Sequence, residues 1–283
     1  MDSRHDSPLR LGIIFTVYAF AVSWLCWLPV VALDHQVGHV PPAAAPLLII
    51  LGTFGPFLAA TAIVTRASGF RGLREYVSQA FRWRVGLQCY AAALVLPAAI
   101  RLGVISLHIV KGGAVSGFSS PEPWLAIPST FLLVMLIGGP TGEEFGWRGF
   151  LLQRVQPVFG LFGASLVIGV ISAFWHLPLF LIPGTAQSHL PFPLFAARTI
   201  ALSVVSTWLY NGSRRSLLIV LLFHASLNTW PNTLYLLEAD NTLGPYTASS
   251  IIYAGWAVQL LIFGLLRGHG DRRETDTVQS AAA

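Results

Sequence analysis

The chain has 283 residues, of which 54% are hydrophobic and 10% charged, and its net charge is +5. Soluble domains carry about 25% charged residues, and 29 charged side chains cannot cover a water-facing surface of this size. Together with a mean hydropathy of +0.67, this excludes a soluble fold and points to an all-α, polytopic integral membrane protein.

Residues 1–10 are polar, carry Arg4 and Arg10, and lead into an apolar run too long for a signal-peptide core; an uncleaved first anchor is expected. A helix needs about 20 apolar residues to cross the hydrocarbon. On that rule eight segments qualify: 11–33, 43–65, 87–110, 124–140 with an extension, 159–182, 191–210, 216–236 and 249–266. The fourth runs into Gly138-Gly139-Pro140 and then into a charged, helix-like stretch, and a continuous span over about 128–152 is expected there. Basic residues alternate between loops. Arg4, Arg10, Arg66, Arg71, Arg74, Arg82, Arg84, Arg148, Arg154, Arg214, Arg215, Arg267, Arg272 and Arg273 fall on one side, and Lys111 alone on the other. The positive-inside rule then predicts about eight helices with both termini cytoplasmic. Arg101 and Arg198 remain inside spans.

Topological placement also accounts for the basic balance without a nucleic-acid partner, because the arginines lie between apolar runs rather than on one face. Residues 68–83 carry Phe70, Leu73, Tyr76, Val77, Ala80 and Phe81 at helical spacing among arginines. Such a helix either lies in the cytoplasmic interface or packs on the bundle as a connector. Cys26 and Cys89 sit in apolar runs without a CxxC, so neither a disulfide framework nor a Cys-rich metal site is expected. One transmembrane domain over 1–266 follows, with its chemistry in about 124–236 and a polar, disordered cytoplasmic tail at 267–283.

Ionisable groups inside a membrane are costly and mark function by default. His5 and His269 are in the tails, His35, His39 and His189 in outer loops, and His108 at a span end. Glu143, Glu144, His176 and His224 remain, with Asn228 one turn after His224. Glu144 and Arg148 share a helical face and can pair, whereas Glu143 is rotated about 100° away and is left to exchange protons. Gly142 and Gly146 form a G-x-x-x-G that admits a close neighbour. His224 and Asn228 also share a face.

A proton-accepting Glu, a nearby His, and a second His with an amide suit water activation and oxyanion stabilisation. The same groups could instead hold one divalent ion such as zinc, with Glu143, His176 and His224 as ligands. No H-E-x-x-H, no G-x-S-x-G and no Asp within a span is present. A non-catalytic immunity or scaffold protein and a proton-coupled transporter stay open on the residues alone. Against the transporter, no paired interrupted helices recur in two halves.

Glu143-Glu144-Phe145-Gly146-Trp147-Arg148-Gly149 resembles the E-E-x-x-x-R motif of the CPBP intramembrane proteases, the family of CAAX prenyl endopeptidases and bacteriocin-processing or self-immunity (Abi) proteins. Phe174-Trp175-His176-Leu177-Pro178 is similar to its second motif, and His224-x-x-x-Asn228 to its third, in the same order over about residues 131–232. One departure is Ser172, which stands where the family has an aromatic four residues before the His. The resemblance implies hydrolysis of a peptide bond of a membrane-associated peptide, CAAX-like or leader, in a bacterial plasma membrane. It further implies that Glu143 and His176 activate water, His224 and Asn228 stabilise the oxyanion, and Arg148 holds Glu144.

Overall fold

The computed structural model describes residues 7–34, 41–113, 123–233 and 243–281. Among these the protein is helical throughout, with no strand. In chain order the helices are α1 (Pro8–Asp34), α2 (Ala45–Thr53), α3 (Gly55–Ser78), α4 (Leu87–Val110), α5 (Pro123–Ile137), α6 (Pro140–Gly146), α7 (Leu152–Trp175), α8 (Phe192–Gly212), α9 (Leu217–Thr233) and α10 (Leu243–Ala281). A π-turn, Trp147–Leu151, joins α6 to α7, and a 3-10 turn, Leu177–Leu181, follows α7. Arg4, His5, His35, His39 and the end of the seventh segment beyond 233 lie outside the described residues.

Within the described residues each of the eight apolar segments is mainly helical, because lipid leaves backbone N–H and C=O groups no other partner. Five helical stretches are long and apolar enough to cross a membrane, or six with α2 and α3, which meet at a 50° bend, taken as one span. The apolar parts of α5 and α9 are shorter. Two spans differ from expectation. The fourth is not continuous over 128–152: Gly139 at φ 113° breaks it, a backbone conformation that costs only glycine nothing. The fifth ends early, with His176 as the C-cap of α7 rather than a mid-helix residue. Pro178 explains this, since it disfavours helical geometry at Leu177 and offers no N–H. A second glycine at positive φ, Gly160, separates the first turns of α7 from its longer remainder. At the other end of the chain, α10 carries its helical backbone past the apolar part as far as Ala281.

The core forms where α1, α2 and α3 pack on α6 and α7. Gly142 and Gly146 face the α2–α3 junction: a Cβ on Gly142 would lie 2.8 Å from the Thr53 carbonyl carbon, and one on Gly146 2.8 Å from the Pro56 carbonyl oxygen. The G-x-x-x-G therefore seats α6 directly on backbone, as the sequence leads one to expect. Gly146→Leu is accordingly expected to destabilise the purified protein by about 1–3 kcal/mol, since rigid backbone cannot yield to the new side chain. Thermal unfolding in detergent measures this, and an unchanged midpoint would contradict the packing.

Hydrogen bonds tie the Arg82 and Arg215 loops together. Arg82 donates from Nη1 to the Arg215 carbonyl at 3.4 Å, and Ser216 Oγ donates to the Arg82 carbonyl at 2.6 Å. Gln153, Gln79 and Tyr210 form a further network beside them. The 68–83 stretch combines both readings of its face. Leu73, Tyr76, Val77 and Ala80 pack on the core, whereas Phe70, Phe81 and Trp83 stay exposed.

Candidate active site

The site grows from the Gly138–Gly139 break. Thr141 caps the end of α5 by donating its hydroxyl to the Met135 carbonyl at 2.7 Å, and Pro140 starts α6 where an N–H would have no helical partner. This puts Glu143 in the first turn of α6, where the helix dipole favours a carboxylate. Its side chain is buried and folds back over Gly139: a Cβ there would lie 2.9 Å from Glu143 Oε1 and 3.8 Å from Asn228 Nδ2. The carboxylate of α6 and the amide of α9 thus flank a glycine whose missing side chain leaves room between them. Asn228 donates to the Gly138 carbonyl at 3.3 Å.

Glu144 is the buried hub. Arg148 Nη1 lies 3.1 Å from each of its carboxylate oxygens, and His224 Nδ1 lies 2.8 Å from Oε1. Helical geometry supplies the first partner, since the pair is four residues apart. The second comes from α9, 80 residues away in sequence. A carboxylate paired with guanidinium is an acceptor, so His224 Nδ1 carries the proton and donates, leaving Nε2 for other contacts.

His176 is held differently. Its Nδ1 lies 2.7 Å from the Ser172 carbonyl, which can only accept, so Nδ1 is the donor and Nε2 keeps its lone pair. The ring is clamped edge-on by Trp175 (centroids 4.7 Å apart) and by Phe195 of α8 (5.0 Å). The Ser172 departure is therefore harmless to His176: its backbone carbonyl orients the ring, and the aromatic contacts come from Trp175 and Phe195.

Both imidazoles lie near enough to Glu143, and to each other, to interact electrostatically. Glu143, Glu144, His176, His224, Asn228 and Arg148 thus come together from three parts of the chain. Among the described residues no group of three or more His, Cys, Asp or Glu side chains is placed to hold a metal ion. The His224 bond to Glu144 uses Nδ1 alone and the His176 bond to Ser172 likewise, so Nε2 of each ring stays open to a ligand.

Behind the site stands a support that spacing alone could not show. Trp175 Nε1 donates to Ser23 Oγ at 2.8 Å, and Ser23 Oγ donates to the Gly52 carbonyl at 2.7 Å. Trp24 Nε1 donates to the Trp175 carbonyl at 3.0 Å, and Trp27 packs on Trp175 with centroids 4.7 Å apart. Ser23 and these tryptophans of α1 hold the residue next to His176. Their one sequence signal is the tryptophan density of the first span.

Residues 124–230 match the family model described as Type II CAAX prenyl endopeptidase Rce1-like. That interval runs from α5 to α9 and contains every residue of the site. The chain is also 24% identical over 228 residues to CAAX prenyl protease 2 of Methanococcus maripaludis, an alignment covering 76% of this chain and 82% of that relative.

Proposed function

We propose that this chain, a member of the CPBP family and an integral membrane protein, is an intramembrane endopeptidase that cleaves a membrane-associated peptide, CAAX-like or leader. One observation carries the reading: a buried glutamate lies within reach of two histidines whose Nδ1 atoms are fixed by unlike partners, a backbone carbonyl and a carboxylate.

Those partners divide the labour. His176, donating to Ser172, presents a bare Nε2 that accepts a hydrogen bond from water and orients it toward Glu143. Glu143 takes the water proton as the oxygen attacks the scissile carbonyl, and returns it to the leaving amine. His224 presents its Nε2 to the oxyanion. To donate there as well as to Glu144 it must carry both ring protons, and Glu144 is the counter-charge for that imidazolium. Asn228 Nδ2, which carries two N–H donors, supplies the second contact. Arg148 acts through Glu144 and does not touch substrate.

This scheme needs no metal, whereas the variant in which one divalent ion sits on Glu143, His176 and His224 would draw its power from a metal-bound water. Full activity after exhaustive chelation, with no zinc in the protein, is the expected result; activity lost on chelation and restored by zinc supports the variant instead. The substrate is found by comparing membrane-fraction peptides from cells that carry the wild type or Glu143→Ala. A peptide cut only in the wild type is expected, and identical peptide sets would overturn the proposal. The bacterial plasma membrane is proposed as its location on Arg, Ala and Gly usage.

A further inference from the structure

Arg101 and Arg198 are the two arginines within spans, and the site does not use them. Arg198 of α8 reaches α10: Nη1 donates to Ser249 Oγ at 2.6 Å, and the guanidinium lies over the rings of Tyr246 (4.6 Å) and Tyr253 (5.2 Å). Arg101 of α4 is close enough to Arg198 for the two to repel. Its Nε is buried without a hydrogen-bond partner. No ion pair joins a carboxylate to either arginine among the described residues.

Two guanidiniums repelling each other inside a span, with no carboxylate paired to either among the described residues, are expensive. We propose that Arg101 and Arg198 form a binding site for a phosphate oxyanion, which supplies a counter-charge, with Ser249 positioning Arg198 while its own proton goes to the Tyr246 carbonyl. Placement favours the headgroup of an anionic phospholipid. Arg198 lies six residues into α8 and Ser249 six residues into α10, each about 9 Å from a helix start that faces away from the arginine-rich loops. Arg101 is nine residues short of the end of α4, about 14 Å along it. Arginine side chains extend toward the interface from within a span, which brings the Arg198 guanidinium toward a headgroup phosphate with Arg101 deeper beneath it. Tyr246 and Tyr253 suit the boundary as apolar rings with a polar tip. The guanidinium fork matches phosphate with two parallel bonds, a geometry a lysine could not offer.

The full-length protein purified in mild detergent is the material for the test, with native mass spectrometry reading lipid retention and thermal unfolding reading stabilisation. Phosphatidylglycerol is expected to be retained by the wild type, and retention to fall about tenfold or more in Arg198→Gln and in Arg101→Gln, as for loss of a charge-assisted bond. Inorganic phosphate is the second probe: a midpoint increase that vanishes in Arg198→Gln, without phosphatidylglycerol retention, assigns the site to a free anion. Binding of neither probe that depends on these arginines overturns the proposal. Should Arg198→Gln fail to fold, Ser249→Ala removes only the hydroxyl beneath Arg198. Retention lowered severalfold supports the site, and unchanged retention there counts against it.

Discussion

Glu143→Gln is expected to lower kcat by about 10²- to 10⁴-fold while the protein remains folded and still binds peptide. The amide keeps the size and most of the packing of a side chain buried beside Gly139, but it cannot accept a proton from water. In the proposed scheme His176→Ala removes the group that orients that water, and its kcat is expected to fall in the same range. If the two groups act on one water, as proposed, the double variant should be little slower than the slower single one. Single-turnover cleavage of a quenched peptide in proteoliposomes measures all three. Activity within tenfold of wild type in Glu143→Gln would remove the general base from the scheme. A multiplicative loss in the double variant would mean that Glu143 and His176 serve separate steps.

What was legible in the sequence follows the range of the interactions. The apolar segments could be read because desolvation of the backbone is a local requirement that lipid enforces on each one separately. The Glu144–Arg148 pair and the seating of Gly142 and Gly146 could be read because helical spacing fixes which side chains share a face. The break at Gly139 could not be told from a continuous span. Gly-Gly-Pro permits a turn but does not demand one, and the conformation is decided by the packing of α6 on the Thr53–Pro56 backbone. The end of α7 at His176 was written in Pro178, a weaker signal than the apolar run around it. Long-range partners were out of reach altogether. Spacing joined His224 to Asn228, but only the fold joins it to Glu144. The Ser23–Trp175 bond likewise spans 152 residues. A local reading could name the members of the site but not who holds whom.

Arg148→Ala is expected to destabilise the protein by about 3–5 kcal/mol, the scale for removing one partner of a buried ion pair. Both side chains are almost wholly buried, and Glu144 would keep only the His224 contact. The geometry makes a sharper statement than loss alone. Both contacts to the carboxylate come from one nitrogen, Nη1, and Arg148 Nε is buried without a partner. The guanidinium is thus used as a point charge rather than as a fork, a role an ammonium can fill. Arg148→Lys should therefore recover much of the stability that Arg148→Ala loses, with thermal unfolding in detergent as the readout. Activity should follow the same order when compared at a temperature where both variants are folded, because a Glu144 without Arg148 is held from one side only and fixes the ring of His224 less firmly. A lysine variant as unstable as the alanine one would show that the shape of the guanidinium, not its charge, is what α6 and α9 are built around. An alanine variant of wild-type stability would show that His224 alone suffices to hold Glu144.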